Sequence, residues 1–126
     1  MTKAPTIRKR AGFTLIEIML VVVIIGILAA VAVPKLGQNL RKAQISATRG
    51  TIKALDSSID SYMLDHSAKL PASLTELIPY LKNAKGVPKD GWGMDFAYTP
   101  NQSDGSYTII SAGPDNVMGN EDDITN

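Results

Sequence analysis

Two sets of carboxylates in this chain could do chemistry. The first is a single residue. Glu17 lies in "GFTLIEIMLVVVIIGILAAVAV" (12–33), an otherwise apolar run. An ionised side chain costs about 2–3 kcal/mol at mid-bilayer and less near the edge, so Glu17 needs a purpose. The second set is in "SAGPDNVMGNEDDI" (111–124), where Asp115, Asp122 and Asp123, with Glu121 nearby, surround Gly113, Pro114 and Gly119. Calcium takes about six to eight oxygens of this kind, backbone carbonyls included, from flexible loops. The spacing is not that of an EF-hand, which needs D-x-[DN]-x-[DN]-G and a Glu at the loop's end. By composition alone, a solvated acidic tail is the more ordinary reading.

Little else points to reactivity. The one histidine, His66, has no metal-ligand partner at a usable spacing and reads as a surface or capping residue. There is no cysteine, and no Ser/His/Asp spacing, P-loop or G-x-G-x-x-G stands out. Trp92 and the tyrosines read as core or interface residues. The expectation is a protein that is not an enzyme.

The elements that carry these residues follow from composition. Phe13 to Val33 is 21 residues, a helix of about 31 Å at ~1.5 Å per residue, close to the hydrocarbon thickness of a bilayer. Lys3, Arg8, Lys9 and Arg10 precede it in a stretch without acids, which reads as an orientation signal placing the N-terminus in the cytoplasm. Nothing suggests nucleic acid, because the basic cluster abuts a hydrophobic run. The rest of the chain holds nine basic and twelve acidic side chains, a balance of −3. From these features alone three readings stay open: a signal peptide cut after Ala32, leaving Val33 first; a plain membrane anchor; or something more specific that uses Glu17.

Beyond Pro34 the pattern is amphipathic. Leu36, Leu40, Ala43 and Ala47 follow helical spacing, and Ile45, Thr48, Ile52, Leu55, Ile59 and Tyr62 recur every three or four residues. The spacing predicts one long helix over 13–65, bent or locally melted near Pro34, which lacks an amide donor. "LPASLTELIPYL" contains Ser73 and Glu76 in an S-x-x-E capping box, predicting a short helix from Leu74 that Pro79 limits. "MDFAYTP" and "SYTIISA", separated by Asn101–Gly105, predict a small hairpin. About 90 residues make a marginal core without help from a metal, an oligomer or a docked helix.

"GFTLIEIMLVVVIIGILAAVAVP" closely resembles the class III signal of type IV pilins and pseudopilins. The resemblance implies a leader, 1–12, cut after Gly12 by prepilin peptidase on the cytoplasmic side, and N-methylation of Phe13. Glu17 would be the fifth residue of the mature chain, able to pair with the N-terminal amine of a neighbouring subunit. In a dry helical bundle such a pair would fix register as well as add energy.

Two further segments narrow the resemblance to the major pseudopilin of type II secretion (GspG family). "VPKDGWG" (87–93) is similar to that family's "PKDPWGNPY", with Gly91 in place of Pro and Met94, Asp95 and Phe96 in place of Asn-Pro-Tyr. "SAGPDNVMGNEDDI" is similar to its C-terminal loop, which in that family binds one structural calcium. Carried over, Asp115, Asp122 and Asp123 would give carboxylates, and Ala112 and Val117 backbone carbonyls, with Glu121 facing outward.

The resemblance implies an α+β, type IV pilin-like fold: a long N-terminal α-helix, hydrophobic in its first half and kinked near Pro34. That helix would pack on a small C-terminal antiparallel β-sheet with a calcium-stapled loop. Residues 1–12 would be leader, 13–33 a transmembrane and filament-core helix, and 34–126 a periplasmic globular domain. The expected function is a structural subunit polymerising into the periplasmic pseudopilus of type II secretion. Expected partners are other copies in a helical homopolymer, minor pseudopilins, prepilin peptidase, the inner-membrane secretion platform and, before assembly, the lipid bilayer. The alternatives are a type IV pilin or minor pilin of a surface filament, and a secreted calcium-binding protein cut after Ala32.

Overall fold

A computed structural model describes residues 1–2, 11–82 and 85–126, so the basic cluster of the expected leader lies outside the described residues. Helix α1 runs Leu15–Asp65, 51 residues. It starts two residues later than the pattern suggests, because Thr14 serves as its cap. The backbone stays helical through Pro34, so local melting is not found. A missing amide removes a single rung, and the apolar turns on either side keep the ladder in place.

The chain divides into two compact units, Met1–Gly37 and Gln38–Asn126. In the first, every described side chain from 11 to 37 is exposed.

The second unit has a core. On α1 the buried residues are Thr48, Ile52, Leu55, Ser58 and Ile59, spaced by three and four as the sequence pattern requires. Ile52, Leu55 and Ile59 meet Leu70, Leu74, Leu77, Phe96, Ile109 and Ile124, with Ile45, Tyr62 and Trp92 packed against that cluster. The earlier apolar positions behave differently: Leu36 and Leu40 are exposed.

Strands β1 (Ala97–Asn101) and β2 (Ser106–Ser111) form the expected antiparallel hairpin, with Thr99 opposite Thr108. Its turn is held by local hydrogen bonds: Asn101 Oδ1 accepts from the Ser103 amide (3.1 Å) and Asp104 Oδ1 from the Ser106 amide (2.9 Å). Gly105 takes a positive φ of 72° there, which a side chain would resist. A third strand, β3 (Ile124–Thr125), pairs antiparallel with β2 and places Ile124 opposite Ser111. At two residues it is too short to show alternation in the sequence.

The short helix at Leu74–Tyr80 is 3₁₀. Pro79 clashes with the carbonyl four residues back and restrains Ile78, which opposes an α-helical turn in so short a segment. The predicted capping box does not close. Ser73 makes no cap bond, and its hydroxyl lies 2.6 Å from that of Thr75. Glu76 instead accepts from the Tyr62 hydroxyl (2.7 Å) and the Ala72 amide (3.3 Å).

Candidate functional site

At the N-terminus, Gly12 and Phe13 precede the first helical turn and are exposed. Glu17 is not without partners inside its own chain. Its Oε2 accepts from the Thr14 amide (2.7 Å) and the Thr14 hydroxyl (3.0 Å), while Thr14 Oγ1 accepts from the Glu17 amide (3.3 Å). This is a reciprocal capping box, and it satisfies orphan amides of α1 while holding the carboxylate over the first turn. The signal was present as T-x-x-E over 14–17, the same pattern read at 73–76, where it does not form. A helix dipole also favours an anion at this end.

The acidic loop is built from turns. After β2, a 3₁₀ turn covers Gly113–Asp115 with Ala112 at its start, and Asn116 follows in the left-handed region at φ 57°. Asp115 Oδ1 accepts from the Val117 amide (3.0 Å) and its Oδ2 from the Asn120 side chain (2.6 Å). Asp122 faces the Arg41 guanidinium of α1 at 3.5 Å, a half-exposed pair of the kind worth little to stability. Asp123 Oδ2 accepts from the Gly119 amide (2.7 Å), but its Oδ1 is buried with no hydrogen-bond partner. Ala112 is buried; Val117 and Glu121 are exposed.

The loop therefore holds all of the expected ligand residues, yet does not gather three carboxylates. Among the described residues there is no group of three or more His, Cys, Asp or Glu placed to hold a metal ion. What fits a hard cation is Asp123 Oδ1. A buried carboxylate oxygen without a donor carries a desolvation penalty that a cation would remove. The donor set is all oxygen, the chemistry calcium takes.

His66 closes the other end of α1: its amide and Nδ1 lie 3.0 and 2.9 Å from the Tyr62 carbonyl, and its ring stacks on Tyr62 at 3.9 Å. That fits the surface or capping residue expected of it.

A single helix carrying a wholly exposed apolar segment, continued into a small α+β unit, defines a pilin-like subunit. Residues 7–33 match the prokaryotic N-terminal methylation motif. Residues 35–126 match the family type II secretion system (T2SS), protein G. The chain belongs to that family. Relatives called Type II secretion system core protein G include one from Escherichia coli, 41% identical over 132 residues and covering 94% of this chain and 91% of the relative. One from Vibrio cholerae is 38% identical over 127 residues, covering 90% and 87%. One from Pseudomonas aeruginosa is 36% identical over 129 residues, covering 91% of each. The fold is similar to the crystal structure of the major pseudopilin from the type 2 secretion system of enterohaemorrhagic Escherichia coli. That match has a TM-score of 0.57 at 30% identity and covers 74% of this chain and 94% of the other.

Proposed function

We propose that this chain is a major pseudopilin, a structural and non-catalytic subunit that polymerises into the periplasmic pseudopilus of a type II secretion system. The observation that carries the reading is the apolar face of 15–33. Leu15, Ile16, Leu20, Val22, Ile27 and Leu28 are all more than half exposed in the lone chain. Monomeric soluble proteins rarely expose more than a few hundred Å² of contiguous apolar surface. Lipid covers this face first, and the helices of neighbouring subunits cover it after assembly. Membership of the protein G family favours this over a surface pilus.

The precursor would sit in the inner membrane as a single-pass protein, N-terminus cytoplasmic and globular domain periplasmic. Prepilin peptidase cuts after Gly12, and Phe13 becomes the N-methylated first residue. In the lone chain the Glu17 carboxylate is held by Thr14. On stacking it takes the Phe13 amine of a neighbour, which fixes axial register. Glu17→Ala should still insert but lose most filament yield, measured by shearing and pelleting. Normal filaments from that variant would defeat the proposal. Intact mass tests the processing: it should begin at N-methylated Phe13 and not at Val33. Minor pseudopilins and the inner-membrane platform are the other partners this reading calls for.

For the acidic loop the reading is one structural calcium held by Asp115, Asp122, Asp123 and the carbonyls of Ala112 and Val117. The unpartnered Asp123 Oδ1 supports it. Bound calcium would offset two of the three carboxylate charges and staple the loop in the shape needed for subunit contacts. A ligand at about 100 times its Kd stabilises by about 2.7 kcal/mol, so calcium should raise Tm by roughly 10–20 °C in a unit this size. Asp122→Ala should remove that gain and melt like the unchanged chain in chelator. Equal melting of the two proteins in both buffers would count against the site.

A further inference from the structure

The turn "VPKDGWG" (87–93) takes no part in either site, yet it contains Asp90. Among the described residues this is the one buried carboxylate or cation, 6% exposed. Both of its oxygens are hydrogen-bonded. Oδ1 accepts from the Trp92 amide (3.0 Å) and the Met94 amide (2.8 Å), and Oδ2 accepts from the Ser111 hydroxyl (2.6 Å). Neither of the salt bridges formed among the described residues involves it. Burying a carboxylate without a counter-charge is costly, so three hydrogen bonds must be worth keeping for more than closing a turn. An asparagine would close the turn as well through its one acceptor oxygen, but its amide nitrogen donates and cannot receive the Ser111 proton.

The charge therefore sets a direction. With its proton committed to Asp90, Ser111 Oγ is left with lone pairs, and it accepts from the Gly113 amide (3.2 Å). Ser111 itself is wholly buried at the end of β2. Gly113 has a φ of 67°, and a Cβ there would collide with the Asp122 carbonyl oxygen on the far side of the loop. Gly113 is thus the point where the two arms of the acidic loop touch, one arm bearing Asp115 and the other Asp122 and Asp123. The other face of the turn is anchored to α1. The Gly91 amide donates to Thr48 Oγ1 (2.9 Å), whose hydroxyl donates to the Gln44 carbonyl (2.8 Å). One connected path runs from α1 through the turn and Ser111 to the crossing of the loop's arms.

We propose that Asp90 and Ser111 are positioning residues for the cation loop: they orient the Gly113 amide and so fix the crossing of the loop's two arms, the frame from which their carboxylates turn toward one ion. The proposal rests on the calcium reading of that loop. Asp90 and Ser111 touch no ion themselves and act through Gly113. Their loss changes affinity for the cation as well as stability.

The test uses the full mature chain in detergent micelles, titrated with calcium chloride by calorimetry and melted in chelator. Ser111→Ala and Asp90→Asn should each weaken calcium binding about tenfold, the effect of one charge-assisted hydrogen bond. Thr48→Val is the comparison: it cuts the tie to α1 but leaves the path to the loop, so it should lower Tm in chelator with an unchanged Kd. If Asp90→Asn does not fold, Ser111→Ala decides. A Kd for Ser111→Ala within twofold of the unchanged chain overturns the inference and leaves the calcium site standing. An equal loss of affinity in Thr48→Val also overturns it, since general loosening would then explain both. Absence of any calcium binding by the unchanged chain overturns the site and the inference together.

Discussion

Along residues 11–37 no described side chain is buried, whereas in residues 38–126 nine apolar side chains close into a core in which Leu55, Ile59, Leu77 and Ile109 have no exposure at all. Both stretches include parts of the same helix, Leu15–Asp65. What differs is the arrangement of apolar residues around it. From 18 to 33 they cover every face, so no single face can be satisfied by the chain's own sheet, and the segment depends on lipid or other copies. From 45 to 62 they form one stripe, and the rest of the chain covers it. Stability therefore belongs to the second region and association to the first.

The sharpest way to break that comparison is to truncate one apolar side chain to alanine in each region. Leu55→Ala should destabilise by about 2–5 kcal/mol, the usual cost of a core cavity, read as a large fall in Tm in detergent. Val23→Ala should leave Tm unchanged while reducing filament yield. A similar loss of Tm from both would erase the distinction.

A smaller effect is expected at Gly91. A Cβ there would run into the backbone carbonyl of Gln44, which cannot swing aside, so the turn must move away from α1. Gly91→Ala should cost about 1–3 kcal/mol, the range for overpacking, and urea denaturation would measure it. No comparable penalty is expected for Gly26→Ala, where nothing lies within 4 Å.

The gentlest probe is pH. Burial pushes Tyr98 up to about 12, helped by the nearby Glu76 charge, and burial followed by the Asp56 charge and hydrogen bond does the same for Tyr107. Unfolded tyrosines lose their protons near pH ~10 while these two hold theirs. The stabilisation is complete below about pH 10 and is lost as pH rises toward about 12. The urea midpoint should fall across that window and fall less in Tyr98→Phe. A midpoint flat from about pH 9 to 11 would contradict it.

Much of the fold was legible because helix and strand periods are written locally. The stripe Ile45 to Tyr62 predicted the buried face of α1, and the two β-rich runs predicted the hairpin at its observed turn. The failures share a cause. S-x-x-E at 73–76 reads as a capping box, but Tyr62, fourteen residues earlier, takes the Glu76 carboxylate. T-x-x-E at 14–17 does close into a box, although the apolar run around Glu17 points to a partner in another subunit. Likewise Asp90 gave no local signal: a carboxylate in a Gly-rich turn looks solvated until Ser111, 21 residues away, closes over it.

The sequence by itself determined which residues are apolar and at what period, where the N-terminal signal lies, and that 111–124 is rich in hard oxygen donors. Those are properties of neighbouring residues, and physics reads them without a fold. Only the tertiary structure decided that Glu76 takes the Tyr62 hydroxyl, that one oxygen of Asp123 is buried without a hydrogen-bond partner, and that Asp90 is buried against the Ser111 hydroxyl. Burial and hydrogen-bond partners belong to residues brought together from distant positions, and no periodicity records them.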